Sequence, residues 1–264
     1  MGLNIFAAYK GLKYFLFSRH KYGHGIHSPF VYTFIREVLR DKNQYAEYNI
    51  IERHRKTLLS NNTKIHIQDF GAGSYSQKSE YRSISSIAKT GISTKKYAQL
   101  LYRIVRYTQS KHILELGSSL GISGAYLSLS HPHTQLYSLE GSPELSRIAK
   151  NTFTACGAHN AEVICGNFNK TLLPCLKNIK QVDLVYIDGN HTKQATLEYF
   201  EQIIPYCNED SILIFDDIYW SKGMNDAWNI IKRNKHTSIS IDIYKFGIIF
   251  FRKGILKQDF TIRF

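Results

Sequence analysis

Two groups of residues in this sequence have types and spacings that could do chemistry, and the first group surrounds a glycine turn. The apolar run that contains Glu115 is followed by Gly117 and Gly121, and an apolar helical segment comes next. A strand, a tight turn and a helix in that order let the backbone approach a ligand closely and present N–H groups to it. Glu140 ends the next strand-like run, 25 positions after Glu115, where a carboxylate can accept hydrogen bonds from two ribose hydroxyls. This pattern indicates a nucleoside-containing cofactor, although the glycines do not fit the G-x-G-x-x-G loop of dinucleotide folds.

The second group is acidic and follows two later strand-like runs. Asp188 comes after the run 182–187, and Asp216 and Asp217 come after the run 211–215. Parallel strands bring their carboxyl ends to one edge of a sheet, so we expect the three carboxylates to converge. They would repel one another unless a cation or protonation relieved them, and hard oxygen ligands suit Mg²⁺. Alternatively, Asp188 and Asp216 cap strand ends or contact a substrate without a metal.

His191 lies three residues after Asp188. An imidazole has an unperturbed pKa of about 6.5, so it can take a proton near neutral pH. The alternative is that His191 is only the residue ahead of Thr192 at the start of a helix.

Strands and helices alternate from Thr94 onward, and these elements must position both groups. The apolar runs predict strands at 113–116, 136–139, 161–165, 182–187 and 211–215, with helices between them. Two further runs, 238–244 and 248–252, are joined around Phe246 and Gly247 and predict an antiparallel hairpin. We therefore expect an α/β fold with a mostly parallel sheet and one reversed strand.

The N-terminal region differs in composition from the rest of the chain. Residues 1–110 carry 18 Lys/Arg against 6 Asp/Glu, whereas residues 111–264 carry 16 against 15. Nearly all of the net charge of +13 therefore lies in the N-terminal residues 1–110. Such a surplus is compatible with nucleic acid, an anionic membrane surface or an acidic substrate. The aromatic stripe of residues 3–17 predicts an amphipathic helix that forms a packing or dimer face, and a membrane contact stays open.

Two features argue for an ordinary globular protein. The chain is 43% apolar and 21% charged, and no apolar run is long enough to span a bilayer. Its four cysteines form no CxxC pair, and the N-terminus lacks a signal-peptide core, so we expect a cytoplasmic location.

A second glycine-rich stretch, residues 69–74, is interpreted as a turn because no apolar helical stripe follows it.

The motif Glu115-x-Gly117-x-x-x-Gly121-x-Ser123 resembles the cofactor loop of class I S-adenosylmethionine-dependent methyltransferases. The likeness is strongest to the catechol and caffeoyl-CoA O-methyltransferase-like branch and covers roughly residues 94–252. It implies a Rossmann-like three-layer sandwich with a seven-stranded sheet and an antiparallel C-terminal hairpin strand. It also implies a methyltransferase domain at 93–264, preceded by a helical extension at 1–92. The predicted cofactor-binding residues are Glu115, Gly117, Ser118, Gly121, Ser123, Glu140, Gly141, Asn167 and Asp188.

In that branch an Asp and an Asp-Asn pair hold the metal, and a lysine takes the proton of the substrate. Asp188, Asp216 and Asp217 match the metal positions, with Asp217 in place of the amide, and His191 matches the lysine. The resemblance therefore implies His191 and Asp188 as catalytic residues and a divalent cation at the three aspartates.

The activity that we predict is O-methylation of a small phenolic or anionic substrate, using S-adenosylmethionine with or without Mg²⁺. Two alternatives follow from the basic front region. One is methylation of RNA, and the other is a non-catalytic cofactor-binding or membrane-surface scaffold. A homodimer is compatible with all three.

Overall fold

The computed structural model describes residues 5–67 and 80–264, and the chain divides into two compact units. The first unit comprises Met1–Asp41 and Lys180–Phe264, and the second comprises Lys42–Ile179. The glycine-rich stretch 69–74 lies outside the described residues. The boundary between an extension at 1–92 and a methyltransferase domain at 93–264 stays a prediction.

The described elements alternate between helix and strand over most of the chain. The strands are β1 (Lys64–His66), β2 (Tyr81–Ser83), β3 (His112–Leu116), β4 (Gln135–Glu140), β5 (Ala161–Cys165), β6 (Val182–Ile187), β7 (Cys207–Phe215), β8 (Ile239–Asp242), β9 (Gly247–Phe250) and β10 (Gln258–Thr261). The α-helices are α1 (Ile5–Phe17), α2 (Pro29–Phe34), α3 (Ala46–Ser60), α4 (Ile84–Thr90), α5 (Lys95–Thr108), α6 (Ile122–Ser128), α7 (Pro143–Cys156), α8 (Phe168–Ile179), α9 (Lys193–Ile203) and α10 (Lys222–Arg233). A π-helical turn at Ile35–Leu39 continues α2, and a 3₁₀ turn at Ile204–Tyr206 continues α9.

In the second unit, β3, β4 and β5 are parallel neighbours. Side chains on both faces of these strands are buried, including Leu114 on one face and Leu136 and Val163 on the other. Every residue of α6 is buried as well, because this short helix follows the glycine turn directly into the core. The antiparallel pair β1–β2 belongs to the same unit.

In the first unit the strand order is β10-β8-β9-β7-β6. Here β9 is antiparallel to both β7 and β8, whereas β6–β7 and β8–β10 are parallel. The predicted α/β Rossmann-like fold with its antiparallel C-terminal hairpin is confirmed. The second unit has three parallel strands and the first has five, which makes eight. The sequence predicted seven, and the additional strand is β10. The four residues of β10 alternate between half-buried and exposed, a stretch too short to show a period in the sequence.

Helix α1 packs through one narrow face. Tyr14 donates a hydrogen bond to the carbonyl oxygen of Ile262 at 2.6 Å, and the hydroxyl of Tyr244 donates to that of Ala7 at 3.1 Å. A Cβ on Gly11 would lie 2.9 Å from the hydroxyl oxygen of Tyr244, so a glycine permits this contact. The opposite face is apolar and exposed, with Ile5, Tyr9, Leu12 and Leu16 at helical spacing. Its predicted role as a dimer face stays a prediction.

No helix among residues 5–67 and 80–264 is long and apolar enough to cross a membrane.

Candidate active site

The glycine turn after β3 depends on left-handed backbone. Gly117 has φ +100°, Ser119 has φ +47° and Gly121 has φ +83°. At Gly121 a Cβ would lie 2.9 Å from the Cα of Ala149, so both the backbone angle and the close approach of α7 require glycine. Glycine is therefore required at position 121 for steric reasons.

Glu115 lies beneath the turn and is completely buried. The hydroxyl of Ser123 donates to its Oε1 at 2.6 Å, and the hydroxyl of Ser138 donates to its Oε2. Ser138 also shares a hydrogen bond with Ser118, which is buried too. These hydroxyls satisfy the carboxylate and tie β3 to β4. Ser138 was missed in the sequence because it sits inside an apolar strand.

Glu140, the last residue of β4, links two turns. Its Oε2 accepts from the backbone N–H of Ser119 at 2.8 Å, and its Oε1 accepts from that of Ser142 at 2.9 Å. A carboxylate offers about four acceptor positions, so the two amide bonds are compatible with further hydroxyl donors. Gly141, between Glu140 and Ser142, is half-buried.

Asn167 stands at the start of α8. Its side-chain oxygen accepts from the backbone N–H of Asn169 at 2.9 Å, which caps this helix. The predicted contact between Asn167 and adenine stays a prediction.

The second group of predicted residues comes together at the ends of β6 and β7. These strands are parallel with Ile187 opposite Phe215, so Asp188 and Asp216 leave them at the same level. The hydroxyl oxygen of Tyr186 lies 3.1 Å from Oδ2 of Asp188 and 2.9 Å from Oδ2 of Asp216. Sequence reasoning missed Tyr186, which looks like an ordinary core residue of β6.

A further residue missed in the sequence, Lys245, lies in the turn between β8 and β9. In the antiparallel pair β7–β9, Gly247 is opposite Phe215, which places Lys245 across from Asp217. Its Nζ lies 3.5 Å from Oδ2 of Asp216 and 3.5 Å from Oδ1 of Asp217. Only the register of the hairpin brings this ammonium to the acids.

Burial and charge move the pKa values of this group in opposite directions. Burial, followed by the negative charges of Asp188 and Asp217, raises the pKa of Asp216 well above its ordinary value. Burial would lower the pKa of Lys245, but the carboxyl groups of Asp216, Asp217 and Asp188 raise it above its ordinary value. The site therefore favours the protonated form of Asp216 and the ammonium form of Lys245.

His191 pairs with Asp188, its Nε2 lying 3.5 Å from Oδ1 of the carboxylate. Burial alone would lower the pKa of His191, but the hydrogen bond and charge of Asp188 raise it overall. Burial alone would raise the pKa of Asp188, but the hydrogen bond and charge of His191, then Lys245, lower it. The ring of Trp220 lies 6.2 Å from the imidazole. Thr192, the next residue, caps α9 by accepting from the N–H of Ala195.

The three aspartates do not fit a divalent cation. Within the part of the chain that the structure describes, no group of three His, Cys, Asp or Glu side chains has a metal-binding arrangement. Mg²⁺ takes oxygen ligands at about 2.0–2.1 Å in an octahedron, whereas here the ammonium of Lys245 and the hydroxyl of Tyr186 approach the carboxyl groups.

Comparisons with known proteins agree with the fold and with the resemblance to methyltransferases predicted from the glycine turn. Residues 114–218 match the family model of a methyltransferase domain, a stretch that contains both groups of site residues. No curated protein matches the sequence.

Several solved structures share the fold at low sequence identity. The O-methyltransferase TomG from Streptomyces achromogenes, in complex with S-adenosylmethionine, is 20% identical with a TM-score of 0.53, covering 61% of this chain and 82% of its own. An O-methyltransferase from Bacillus cereus, in complex with S-adenosylhomocysteine, is 16% identical with a TM-score of 0.55, covering 83% and 96%. A protein assigned as a caffeoyl-CoA O-methyltransferase from Staphylococcus aureus is 16% identical with a TM-score of 0.54, covering 63% and 88%.

The chain therefore contains a match to a methyltransferase domain over residues 114–218 and has the class I methyltransferase fold. The resemblance predicted from Glu115, Gly117 and Gly121 is thereby confirmed.

Proposed function

We propose that this protein transfers the methyl group of S-adenosylmethionine to a hydroxyl oxygen of a small molecule. The observation that carries the proposal is the His191–Asp188 pair at the end of β6, inside the matched methyltransferase domain. A base of this kind is what a neutral hydroxyl requires before it can attack a methyl group. The solved O-methyltransferases with bound S-adenosylmethionine or S-adenosylhomocysteine support the choice of donor and of oxygen as acceptor.

The glycine turn is assigned to the donor. Glu140 would accept the ribose hydroxyls while its two amide hydrogen bonds hold the turn in shape. Glu115 is completely buried, and the hydroxyls of Ser123 and Ser138 bind its carboxylate. Its part is therefore to hold Ser123 and Ser138 in place beside the turn, and the backbone around Gly117 would hold the methionine portion.

The proton of the acceptor is assigned to His191. Because Nε2 lies 3.5 Å from Oδ1 of Asp188, we assign the ring proton to Nε2, which leaves the lone pair on Nδ1. Nδ1 takes the proton of the acceptor hydroxyl as the oxygen forms its bond to the methyl carbon. The bond between that carbon and the sulfonium sulfur breaks, and its electron pair stays on sulfur. The products are the methyl ether and S-adenosylhomocysteine, and the imidazolium returns its proton to water.

Alignment of the three reacting atoms supplies the remainder of the rate enhancement, because the transfer needs only an in-line approach. Trp220, packed beside His191, offers a flat apolar surface to the acceptor. An aromatic hydroxyl compound matches that surface. RNA as acceptor, and a membrane-surface scaffold, stay predictions from the basic front region.

Two measurements test the proposal. Isothermal titration with S-adenosylhomocysteine should show binding that Glu140→Ala weakens. A methyl-transfer screen against small phenols, aliphatic alcohols and bulk RNA should give product only with hydroxyl compounds of low mass. If S-adenosylhomocysteine fails to bind at millimolar concentration, the proposal is wrong. If RNA is the only substrate that is methylated, the acceptor is RNA and not a small molecule.

A further inference from the structure

We propose that the ammonium of Lys245 takes the place of a divalent cation among Asp188, Asp216 and Asp217, so that this site works without a metal. The inference deepens the proposed function, on which its activity measurements rest. Its metal-binding measurements do not depend on methyl transfer.

The first argument is the position of the ammonium. Nζ of Lys245 lies 3.5 Å from Oδ2 of Asp216 and 3.5 Å from Oδ1 of Asp217. A metal bound to both of these oxygens would lie against Nζ and meet its positive charge. The ammonium and a metal therefore compete for one place.

The second argument is that every one of the three carboxyl groups already has partners from the protein. Asp188 is approached by Tyr186 and His191, Asp216 by Tyr186 and Lys245, and Asp217 by Lys245. The backbone N–H of Asp217 also donates to Oδ1 of Asp216 at 2.7 Å. Burying a carboxylate without such partners costs several kcal/mol, and a bound metal ordinarily offsets that cost. Here the protein's own side chains and backbone supply the partners.

The third argument is that the hairpin holds Lys245 in place. Its N–H donates to the carbonyl oxygen of Ile243 at 3.0 Å, and Tyr244 between them has φ +73°. Phe246, the next residue, is fully buried against Tyr186 with ring centroids 5.6 Å apart. The Lys245 side chain is only 23% exposed. The turn therefore fixes the backbone of Lys245, and burial restricts the side chain that carries the ammonium.

Basic side chains stand where a metal would supply positive charge. Nζ of Lys245 faces the carboxyl groups of Asp216 and Asp217, and the imidazole of His191 faces that of Asp188. A divalent ion bound here would place two further positive charges beside the ammonium. The fixed ammonium can still favour a negative charge on an acceptor oxygen, which is the electrostatic service a metal would provide.

The decisive experiment measures Mn²⁺ binding to the full-length protein by electron paramagnetic resonance. Wild type is expected to bind no stoichiometric Mn²⁺ at millimolar concentration. Lys245→Met exposes the three carboxyl groups to solvent cations and is expected to gain one site, which the further change Asp216→Asn removes. Lys253→Met, at an exposed lysine in the same unit, is the matched control and should behave as wild type.

Activity gives a second measurement. Wild type treated with EDTA is expected to keep its methyl-transfer rate, whereas Lys245→Met should lose at least tenfold and recover in part with Mg²⁺ or Mn²⁺. The inference is overturned if wild type binds one Mn²⁺ that Asp188→Asn abolishes, or if EDTA removes the activity and Mg²⁺ restores it. It is also overturned if a folded Lys245→Met gains no site. Should that variant not fold, the wild-type Mn²⁺ and EDTA results decide the question alone.

A failure of the proposed function looks different. In that case S-adenosylhomocysteine does not bind, while the Mn²⁺ results of wild type and Lys245→Met can still follow the expectation.

Discussion

The carboxylate of Glu140 accepts a hydrogen bond from the backbone N–H of Ser119 at 2.8 Å, across the glycine turn that separates β3 from α6. Ser119 itself has a left-handed backbone, with φ +47°. One acid therefore both shapes the turn and faces the ligand proposed for it, so its removal should affect the loop and the cofactor together.

Glu140→Ala should weaken S-adenosylhomocysteine binding by at least tenfold. The variant removes the carboxylate proposed to accept the ribose hydroxyls. A hydrogen bond to a charged group contributes about 1.5–3 kcal/mol, and about 1.4 kcal/mol corresponds to a factor of ten in affinity. The amides of Ser119 and Ser142 also lose the acceptor that holds the turn. Isothermal titration measures the change. Glu144→Ala, at a half-exposed acid on α7, is the control that should leave the affinity unaltered. Equal affinity in wild type and Glu140→Ala would rule out the assigned role.

His191→Gln should lower kcat by about 10²–10⁴-fold while leaving the affinity for S-adenosylhomocysteine intact. The reason is that the imidazole is assigned to the proton of the acceptor and has no part in binding the donor. Steady-state kinetics together with titration separate the two effects. A loss of donor binding in the same variant would make His191 a structural residue.

The pH dependence follows from the pairing of His191 with Asp188. A base works only when it is deprotonated, and the pKa of His191 is raised by the hydrogen bond and charge of Asp188, although burial opposes the shift. Activity should therefore rise with pH and reach half its maximum above about pH 6.5. Asp188→Asn removes the charge, so its acid limb should lie at lower pH. Asp210→Asn, at an exposed acid, should reproduce the wild-type profile. An Asp188→Asn limb that does not move would disprove the coupling.

Asp216→Asn should be at least as stable as wild type, with an advantage that grows with pH. The pKa of Asp216 is higher in the folded protein than in the unfolded chain, chiefly through burial and then through the charges of Asp188 and Asp217. The folded state therefore binds more protons, and its stability falls as the pH rises from the unfolded pKa of about 3.9 toward the folded one. Asparagine has no proton to lose. Thermal unfolding at about pH 5 and about pH 8 measures the difference, and an advantage that shrinks with pH contradicts the assignment.

Gly121→Ala should destabilise the protein by more than the left-handed backbone alone would cost. Both Gly121 and Gly157 have positive φ, but a Cβ on Gly121 meets the Cα of Ala149 at 2.9 Å, whereas a Cβ on Gly157 meets no atom within 4 Å. Gly157→Ala is thus the matched control, with an expected cost of about 1–2 kcal/mol. Gly121→Ala adds a clash with α7 to that cost. Chemical denaturation of both variants gives the comparison, and equal losses would show that the approach of α7 does not matter.

Some elements were beyond the reach of the sequence for identifiable reasons. Helix α3 was not predicted, because its buried face includes Arg55 among Tyr48, Ile51 and Leu58, which blurs the apolar period. The guanidinium donates to the carboxylate of Glu52 and to the carbonyl oxygen of Ser93, a residue 38 positions away. A contact of that range has no local signature.

The sequence by itself indicated the methyltransferase fold, because a strand, a glycine turn and an acid at the next strand end are local patterns, and steric limits require glycine at Gly121. It also indicated that Asp188 and Asp216 would converge, since parallel strands must end together. Only the tertiary structure decided how that acidic group is neutralised. The cation is Lys245, brought across from Asp217 by the antiparallel register of β7 and β9. Register depends on pairing between distant segments, so no spacing along the chain could have shown that the ammonium lies where a metal was expected.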